Sequence, residues 1–372
     1  MPFLLFILTF FLSGANASEP GLKDLHSPPP RIIRSCCAFG SDLHLVGIPF
    51  AKINQLTSIE KLGTHHYLGN SSEGVGLIYT QRGGFIDVGH LRDQADWTKY
   101  LYTFILENRQ SDVVQQKLGY EGGTKNLIFT GLSGLDSADC LLLAGKIAYD
   151  LSLWHELSTW FGASLVPLMP ERYSSLSIED AYSNLLGIEI GIAALQSSLP
   201  YNEAVTSVLF DKLLELGAVQ TEEDTEEALE AVRNIWWSND KRLPSSKVLL
   251  ERDTEVYSRV RPWILPGAIF SNVEPEVLYV PYLTSNKHLL TDYYELDIEL
   301  NYKFPVKEIF PGRDSRLITQ NDFDMMLTHI AMELKSTTQN SRQAKTFQQS
   351  SISSNLTGLS ESQDGSDIPA VH

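Results

Sequence analysis

Acidic residues and a histidine recur every three positions in one short stretch, GGFIDVGHLRDQADW, residues 83–97. Its candidate groups are Asp87, His90, Asp93 and Asp96. On a helix each step of three residues turns back by about 60°, so the first three share an arc of about 120°. Trp97 also falls on this arc, whereas a solvated face would alternate acids with Lys or Arg and carry no tryptophan. The pattern therefore favours a partly buried polar site over a solvated acidic face.

A second polar pair lies in the most apolar stretch of predicted helix. In LSLWHELSTW, His155 and Glu156 are adjacent and their neighbours are largely leucine and tryptophan. Burying an imidazole and a carboxylate without partners is costly, so other polar groups must satisfy them. The zinc-protease motif HExxH requires a histidine where this chain has Thr159, which excludes that motif.

The first interpretation of these residues is an enzyme. His90, Asp93 and His155 would meet across a helix–helix interface as ligands of a divalent metal ion such as zinc, although the sequence leaves the cofactor undetermined. Glu156 would be the catalytic residue, acting as general base on the metal-bound water. This describes a metal-dependent hydrolase. A metal-free hydrolase that uses the carboxylates directly is a variant of the same interpretation.

The second interpretation is a structural network. It pairs His155 with Asp93, Arg92 with Asp96, and Glu156 with a tyrosine or an arginine. Such buried networks fix the register of packed helices. The protein would then be a non-enzymatic envelope binding or assembly protein. A metal assay on the mature protein separates the two interpretations, and both stay open at this point.

Other segments carry weaker signals. IEDAYSNLLG places Glu179 and Asp180 in the first turn of a predicted helix. A stripe of small residues follows, and it predicts close packing on another helix; its members are Asn184, Gly187, Gly191 and Ala194. His65 and His66 are adjacent in a predicted loop, where a surface position is expected. The chain has no GxSxG motif, no P-loop and no GxGxxG between a strand and a helix, so serine nucleophiles and nucleotide binding have no support.

Composition limits the partners. The chain has 372 residues and a formal net charge of −17, which argues against nucleic acid and against anionic membrane surfaces. Its three cysteines are too few for a disulfide scaffold. Either Cys36 or Cys37 could bridge to Cys140, which would leave one thiol over. The substrate, whether a small molecule or envelope material, is not specified.

The two ends of the chain carry targeting and linker signals. Residues 1–17 contain an apolar run and end in Ala15-Asn16-Ala17, which predicts a signal peptide cut before Ser18 and a periplasmic or secreted protein. No later run reaches the length of about 20 apolar residues that a membrane span needs. Residues 18–31 are predicted to be a linker and residues 336–372 a disordered tail.

The order of elements predicts the fold class. Strands are expected at 74–81, 275–283 and 293–304. Helices are expected at about 87–109, 135–162, 177–196, 202–217, 222–237 and 321–335. Strands at the start, a helical middle and strands near the end predict an α+β fold. The prediction is a single domain over residues 32–335, with a helical core at about 87–240.

Three segments together resemble a known family. They are EGVGLIYTQRGGFIDVGHLRDQADW, WHELSTWFG and EDAYSNLLG. They are similar to a family of secreted or envelope bacterial proteins catalogued only as a domain of unknown function, and the resemblance covers most of residues 31–330. It implies that the polar segments belong to one fold in an exported bacterial protein. It implies no activity.

Overall fold

A computed structural model describes residues 27–35, 38–45, 48–52, 54–164, 171–243, 245, 247–265 and 273–337. Its helices and antiparallel sheets confirm the predicted α+β class. The predicted signal peptide, most of the predicted linker and nearly all of the predicted tail lie outside the described residues, as do Cys36 and Cys37. Cys140 is a free, buried thiol.

Three long helices form the centre of the fold. They are α1 (Val88–Asn108), α2 (Ser137–Trp160) and α3 (Asp180–Gln196). The remaining helices are α4 (Tyr201–Glu215), α5 (Glu222–Ala231), α6 (Val306–Ile309) and α7, which covers residues 323–337. The predicted helices are therefore present, but α5 ends well before the predicted residue 237. None of the helices in the described ranges is long and apolar enough to cross a lipid bilayer.

The packing of α1 on α3 explains the stripe of small residues. A Cβ placed on Gly187 would lie 2.1 Å from the backbone oxygen of Leu91, and one placed on Gly191 would lie 3.0 Å from the Cα of Ala95. Only a glycine allows the two helix backbones to approach so closely at residue 187. This confirms the predicted helix–helix contact, and it brings the first turns of α1 and α3 side by side.

A four-stranded antiparallel sheet lies against these helices in the order β10-β9-β6-β5. Its strands are β5 (Val113–Tyr120), β6 (Gly123–Thr130), β9 (Tyr294–Leu300) and β10 (Leu317–Ile318). Leu127 of β6 and Leu296 of β9 are fully buried in the same core as α1 and α2. The hairpin of β5 and β6 was not predicted, because β5 is an edge strand with mostly exposed side chains.

The remaining strands form three short hairpins. They pair β1 (His44–Leu45) with β2 (Ile48–Lys52), β3 (Leu77–Thr80) with β4 (Gly84–Asp87), and β7 (Arg259–Val260) with β8 (Leu278–Tyr279). The predicted strand 74–81 is therefore β3, and it belongs to a different sheet from β9. Of the predicted strand 275–283 only β8 forms. The hairpin of β3 and β4 leads directly into α1, so it fixes where the polar stretch of α1 begins.

Candidate functional site

Asp87 marks the start of α1. Its carboxylate accepts hydrogen bonds from the backbone N–H groups of Gly89 and His90, at 2.7 and 3.2 Å. Its own backbone N–H donates to Ser183 Oγ at 2.8 Å, which ties the start of α1 to α3. Asp87 is thus an N-cap that satisfies otherwise unpaired donors of the helix.

The next polar residue of α1 faces α3. His90 Nδ1 lies 3.0 Å from Oδ1 of Asp180, in the first turn of α3, and both side chains are largely buried. Burial raises the pKa of Asp180, and the neighbouring His90 limits that rise. Burial also raises the pKa of the adjacent Glu179 well above its usual value, and Asp180 adds to this effect. A titratable cluster therefore occupies the junction of α1 and α3.

Glu156 joins this cluster from α2. One carboxylate oxygen accepts a hydrogen bond from the backbone N–H of Leu176 at 2.7 Å. Burial raises the pKa of Glu156 to about 7, and the negative charge of Asp180 adds to the effect. Glu156 can thus hold a proton near neutral pH, as an acid catalyst must.

Leu176, whose N–H binds Glu156, has a strained backbone conformation. Its φ is 56°, in the left-handed region that leucine rarely adopts. Its N–H donates to Glu156, and its carbonyl accepts from the backbone N–H of Asp253 at 3.0 Å. The strained residue therefore links the acid on α2 to the segment that carries Asp253. Strain of this kind is often concentrated at functional sites.

A small cavity lies between these groups. Its lining includes the polar side chains of Tyr149, Glu156, Ser177, Asp180, Asn184 and Asp253. The open space at its centre is about 10 Å³, which is enough for about one water molecule. Asn184 Oδ1 is buried and has no hydrogen-bond partner among the described residues. The cavity thus combines three carboxyl groups, those of Glu156, Asp180 and Asp253, with a free amide oxygen.

Asp93 and Asp96 turn away from this cavity towards Arg34. The guanidinium of Arg34 donates to Asp93 Oδ1 at 3.0 Å and to Asp96 Oδ2 at 2.9 Å. It also binds Glu73 with two hydrogen bonds, at 2.7 and 2.9 Å. Although burial opposes the charge, Asp96, Glu73 and Asp93 together raise the pKa of Arg34 well above its usual value. Arg34 is therefore a buried cation enclosed by three acids.

The Arg34 network extends to a histidine that was expected at the surface. His65 is fully buried, and its Nε2 lies 3.0 Å from Asp96 Oδ1. Arg92 donates to the backbone oxygen of Leu62 at 2.6 Å and lies 3.5 Å from Glu73. The predicted pair of Arg92 with Asp96 is replaced by these contacts.

His155 belongs to a third polar cluster, separate from the two described above. Its Nδ1 lies 2.6 Å from Oε1 of Glu121, next to the hairpin turn between β5 and β6. The other oxygen of Glu121 contacts the ammonium of Lys125. Against the effect of burial, Lys125 and His155 hold the pKa of Glu121 well below its usual range. His155 is thus part of a buried triad with Glu121 and Lys125, and the predicted pair with Asp93 is not formed.

The predicted metal site is therefore divided among three places. His90 contacts Asp180, Asp93 contacts Arg34, and His155 contacts Glu121. Across the described ranges, no group of three or more His, Cys, Asp or Glu residues is arranged to hold a metal ion. Adjacent residues on a helix point in different directions, so Glu156 faces the cavity while His155 faces the sheet.

Sequence reasoning did not find several partners that complete these clusters. Arg34, Glu73 and Glu121 are separated in sequence by 19 to 62 residues from the side chains of α1 and α2 that they bind. Asp180 and Asn184 were noted only as helix-start and packing residues. The available signal was energetic, because His155 and Glu156 in so apolar a helix require partners.

The fold and its site define a class: an α+β domain with a buried cluster of carboxyl and imidazole groups beside a small cavity. The chain belongs to the family described as a protein of unknown function (DUF4056), whose match spans residues 25–266. Neither the curated proteins nor the solved structures contain a significant match. All residues of the cavity and of the three polar clusters lie within the matched range.

Proposed function

We propose that the protein is an exported, metal-independent hydrolase that acts on envelope or extracellular material. The observation that carries this proposal is that Glu156 and Asp180, from two different helices, line one small cavity. Two carboxyl groups on one cavity can divide acid and base roles between them without a metal ion. Export rests on the apolar run and small residues at positions 1–17.

Glu156 is assigned the role of general acid. Its pKa of about 7 leaves a substantial protonated fraction at neutral pH. In the proposed reaction it gives its proton to the leaving group as the scissile bond breaks. The hydrogen bond from the backbone of Leu176 fixes one of its oxygens, which leaves the other to carry the transferred proton. A positioned acid of this kind contributes about 10²–10⁴-fold to a reaction rate.

Asp180 is assigned the role of general base. The contact with His90 orients its carboxylate and favours its charged form against burial. The cavity has room for about one water molecule, and the free oxygen of Asn184 can accept a hydrogen bond from it. Asp180 takes one proton from this water as the water oxygen attacks the substrate. Proton exchange with solvent then restores both carboxyl groups.

The experiment compares Glu156→Gln and Asp180→Asn with the wild-type protein. Turnover is measured on cell-wall glycan, acidic polysaccharides and chromogenic esters. We expect each variant to lose about 10²–10⁴-fold in kcat while it keeps its fold. Asp139→Asn is the matched control, because Asp139 is a buried acid of the same helix that binds Ser285 outside the cavity. Wild-type turnover in Glu156→Gln would contradict the proposal.

A second measurement needs no substrate. Infrared difference spectra taken between pH 5 and pH 9 detect the carbonyl band of a protonated carboxyl group. We expect a band that disappears near pH 7 in the wild-type protein and is absent from Glu156→Gln. The lack of any carboxyl titration near neutral pH in the wild-type protein would remove the general acid from the mechanism.

The alternative is a binding protein in which these residues are purely structural. It is favoured by the Arg34 network, which is buried, held by several ion pairs and without chemistry of its own. On this alternative Glu156→Gln changes the melting temperature but no turnover exists to be lost. The two functions are therefore separated by the same pair of variants.

A further inference from the structure

An arginine-bearing strand face borders the acid cavity. Arg259 and Arg261 alternate with Val260 and Pro262, which are both buried. Side chains two residues apart on an extended chain point to the same face. The two arginines are exposed and Trp263 continues the same alternation, so the three side chains line up along one face.

This face forms one side of a groove of about 520 Å³, which is within the size range of ligand pockets. The aromatic side chain of Tyr279 also lines the groove; it is 66% exposed and comes from the strand position that pairs with Arg259. Trp263 is held in place by an edge-to-face contact with Trp236 and by a hydrogen bond to Asp253. The groove thus presents two exposed arginines and two aromatic side chains, beside Arg252 and two acidic residues.

The positive charge of this groove is not used within the described part of the chain. Neither the Arg259 nor the Arg261 side chain has a hydrogen-bond or ion-pair partner among the described residues. Arg252 also lines the groove, but its guanidinium donates to backbone oxygens, including that of Ser175. These oxygens belong to the segment just before Leu176, the residue whose N–H binds Glu156. Two unpaired arginines side by side on a chain with a net charge of −17 indicate a site for an anionic ligand.

The groove and the acid cavity share a wall. Asp253 lines both spaces. Both of its carboxylate oxygens are occupied, one by the backbone N–H of Glu255 at 3.0 Å and the other by the indole N–H of Trp263 at 3.2 Å. Asp253 therefore shapes the boundary between the groove and Glu156.

We propose that this groove binds a carboxylated saccharide and presents it to the acid cavity. The role of the saccharide as a substrate rests on the proposed hydrolase function. Arginine binds carboxylates with two parallel hydrogen bonds. The Cα atoms of the two arginines are about 7 Å apart along an extended chain, so their long side chains can reach carboxylates on neighbouring sugar units. Aromatic faces are electron-rich, so they attract the C–H groups of a sugar ring.

Other anionic ligands fit this groove less well. An acidic peptide offers carboxylates on flexible side chains but no ring faces for Trp263 and Tyr279. An anionic lipid would require an apolar slot for its chains, whereas the groove is lined by arginines and acidic side chains beside its aromatic residues. The combination of paired arginines with aromatic faces therefore favours the saccharide.

The test measures binding by calorimetry on the full mature chain. The probes are trigalacturonate and a disaccharide that contains muramic acid, with trigalacturonate methyl ester and triglutamate as controls. We expect binding of at least one carboxylated saccharide, and about tenfold or greater weakening in Arg259→Ala/Arg261→Ala. Binding should also weaken as salt rises. Lys117→Ala/Lys307→Ala removes the same charge from exposed positions outside the groove and should bind as the wild type does.

Three results would overturn the saccharide site: no binding of either carboxylated probe, equal binding of the methyl ester, or equal binding of triglutamate. Both arginines are exposed, so the double variant should stay folded, and circular dichroism checks this. Glu156→Gln separates the two proposals because it should bind the probe like the wild type. Binding without hydrolysis by the wild-type protein would support the groove and contradict the hydrolase. Hydrolysis that is unaffected in the arginine variant would support the hydrolase and contradict the groove.

Discussion

His90 Nδ1 lies 3.0 Å from Oδ1 of Asp180, and this contact joins the first turn of α1 to the first turn of α3. The same junction contains the cap of Asp87, whose backbone N–H donates to Ser183. The imidazole thus reaches the proposed base from a helix that is itself anchored on α3. His90 is in this sense a positioning residue for Asp180, and its removal should be visible in the pH dependence of the reaction.

His90→Ala should shift the acidic limb of the pH–rate profile to higher pH. Burial raises the pKa of Asp180 and His90 limits that rise, so the pKa should increase further when the imidazole is removed. Asp180 then stays protonated, and inactive as a base, up to a higher pH. His288→Ala, at an exposed position, is the control. An unchanged acidic limb in His90→Ala would show that His90 does not act on the base.

Local sequence patterns were enough to predict most of the helices. Asp136 caps α2, since its side chain accepts from the N–H of Asp139 at 2.8 Å. The glycine stripe of α3 predicted a tight helix contact, which Gly187 makes with α1. These signals act over a few residues along one element. The edge strand β5 and the early end of α5 were missed because tertiary packing overrides local preference there.

The partners of the polar residues could not be predicted in this way. The pattern favoured a partly buried polar site, and Asp93 and Asp96 are buried, but their cation is Arg34, 59 and 62 residues away in sequence. Likewise, His155 was correctly expected to need a partner, but Glu121 is 34 residues away on the sheet. Because burying an unpaired polar group costs free energy, a partner must exist. Only the path of the chain decides which residue it is.

Arg34→Ala should destabilise the fold strongly. It leaves Glu73, Asp93 and Asp96 buried without the cation that neutralises them. Breaking a buried ion pair in this way costs about 3–5 kcal/mol, measured as the free energy of unfolding in urea. Arg82→Ala is the control, because Arg82 is partly exposed in its ion pair with Glu276 and should cost about 1 kcal/mol or less. Equal losses in the two variants would contradict a structural role for the network.

Gly187→Ala should separate α1 from α3. The added Cβ would lie 2.1 Å from the backbone oxygen of Leu91, so one helix has to move. We expect a loss of about 1–3 kcal/mol or more in unfolding free energy, together with reduced turnover because the contact of His90 with Asp180 spans the same interface. Gly134→Ala is the matched control, since nothing lies within 4 Å of its added Cβ. A Gly187→Ala protein as stable as this control would argue against close helix packing.

The mature protein is predicted to begin at Ser18 and to tolerate truncation after about Ser336. The small residues at Ala15-Asn16-Ala17 form the expected cleavage site, and the later segment is too polar to offset its ordering entropy. N-terminal sequencing of protein from the cell envelope should give Ser18. The truncated chain should have the same melting temperature as the full mature chain. Recovery of an intact Met1 in the cytoplasm would contradict export.

Glu156→Gln should remove a pH dependence from the stability of the fold. Burial raises the pKa of Glu156 from its usual 4.5 to about 7, so the folded chain keeps a proton that the unfolded chain releases. The stabilising contribution of this proton is complete below about pH 4.5 and is lost as the pH rises through about 7. At about 1.4 kcal/mol for each pKa unit, the wild-type protein should lose at most about 3 kcal/mol across this window. Urea unfolding at pH 5, 6, 7 and 8 measures how the unfolding free energy changes with pH. This change should be smaller in Glu156→Gln than in the wild-type protein. It should be unchanged in Asp139→Asn, because that variant keeps Glu156. If the unfolding free energy instead changed with pH in the same way in the wild-type protein and in Glu156→Gln, Glu156 would not hold a proton at neutral pH. Its role as general acid would then be contradicted as well.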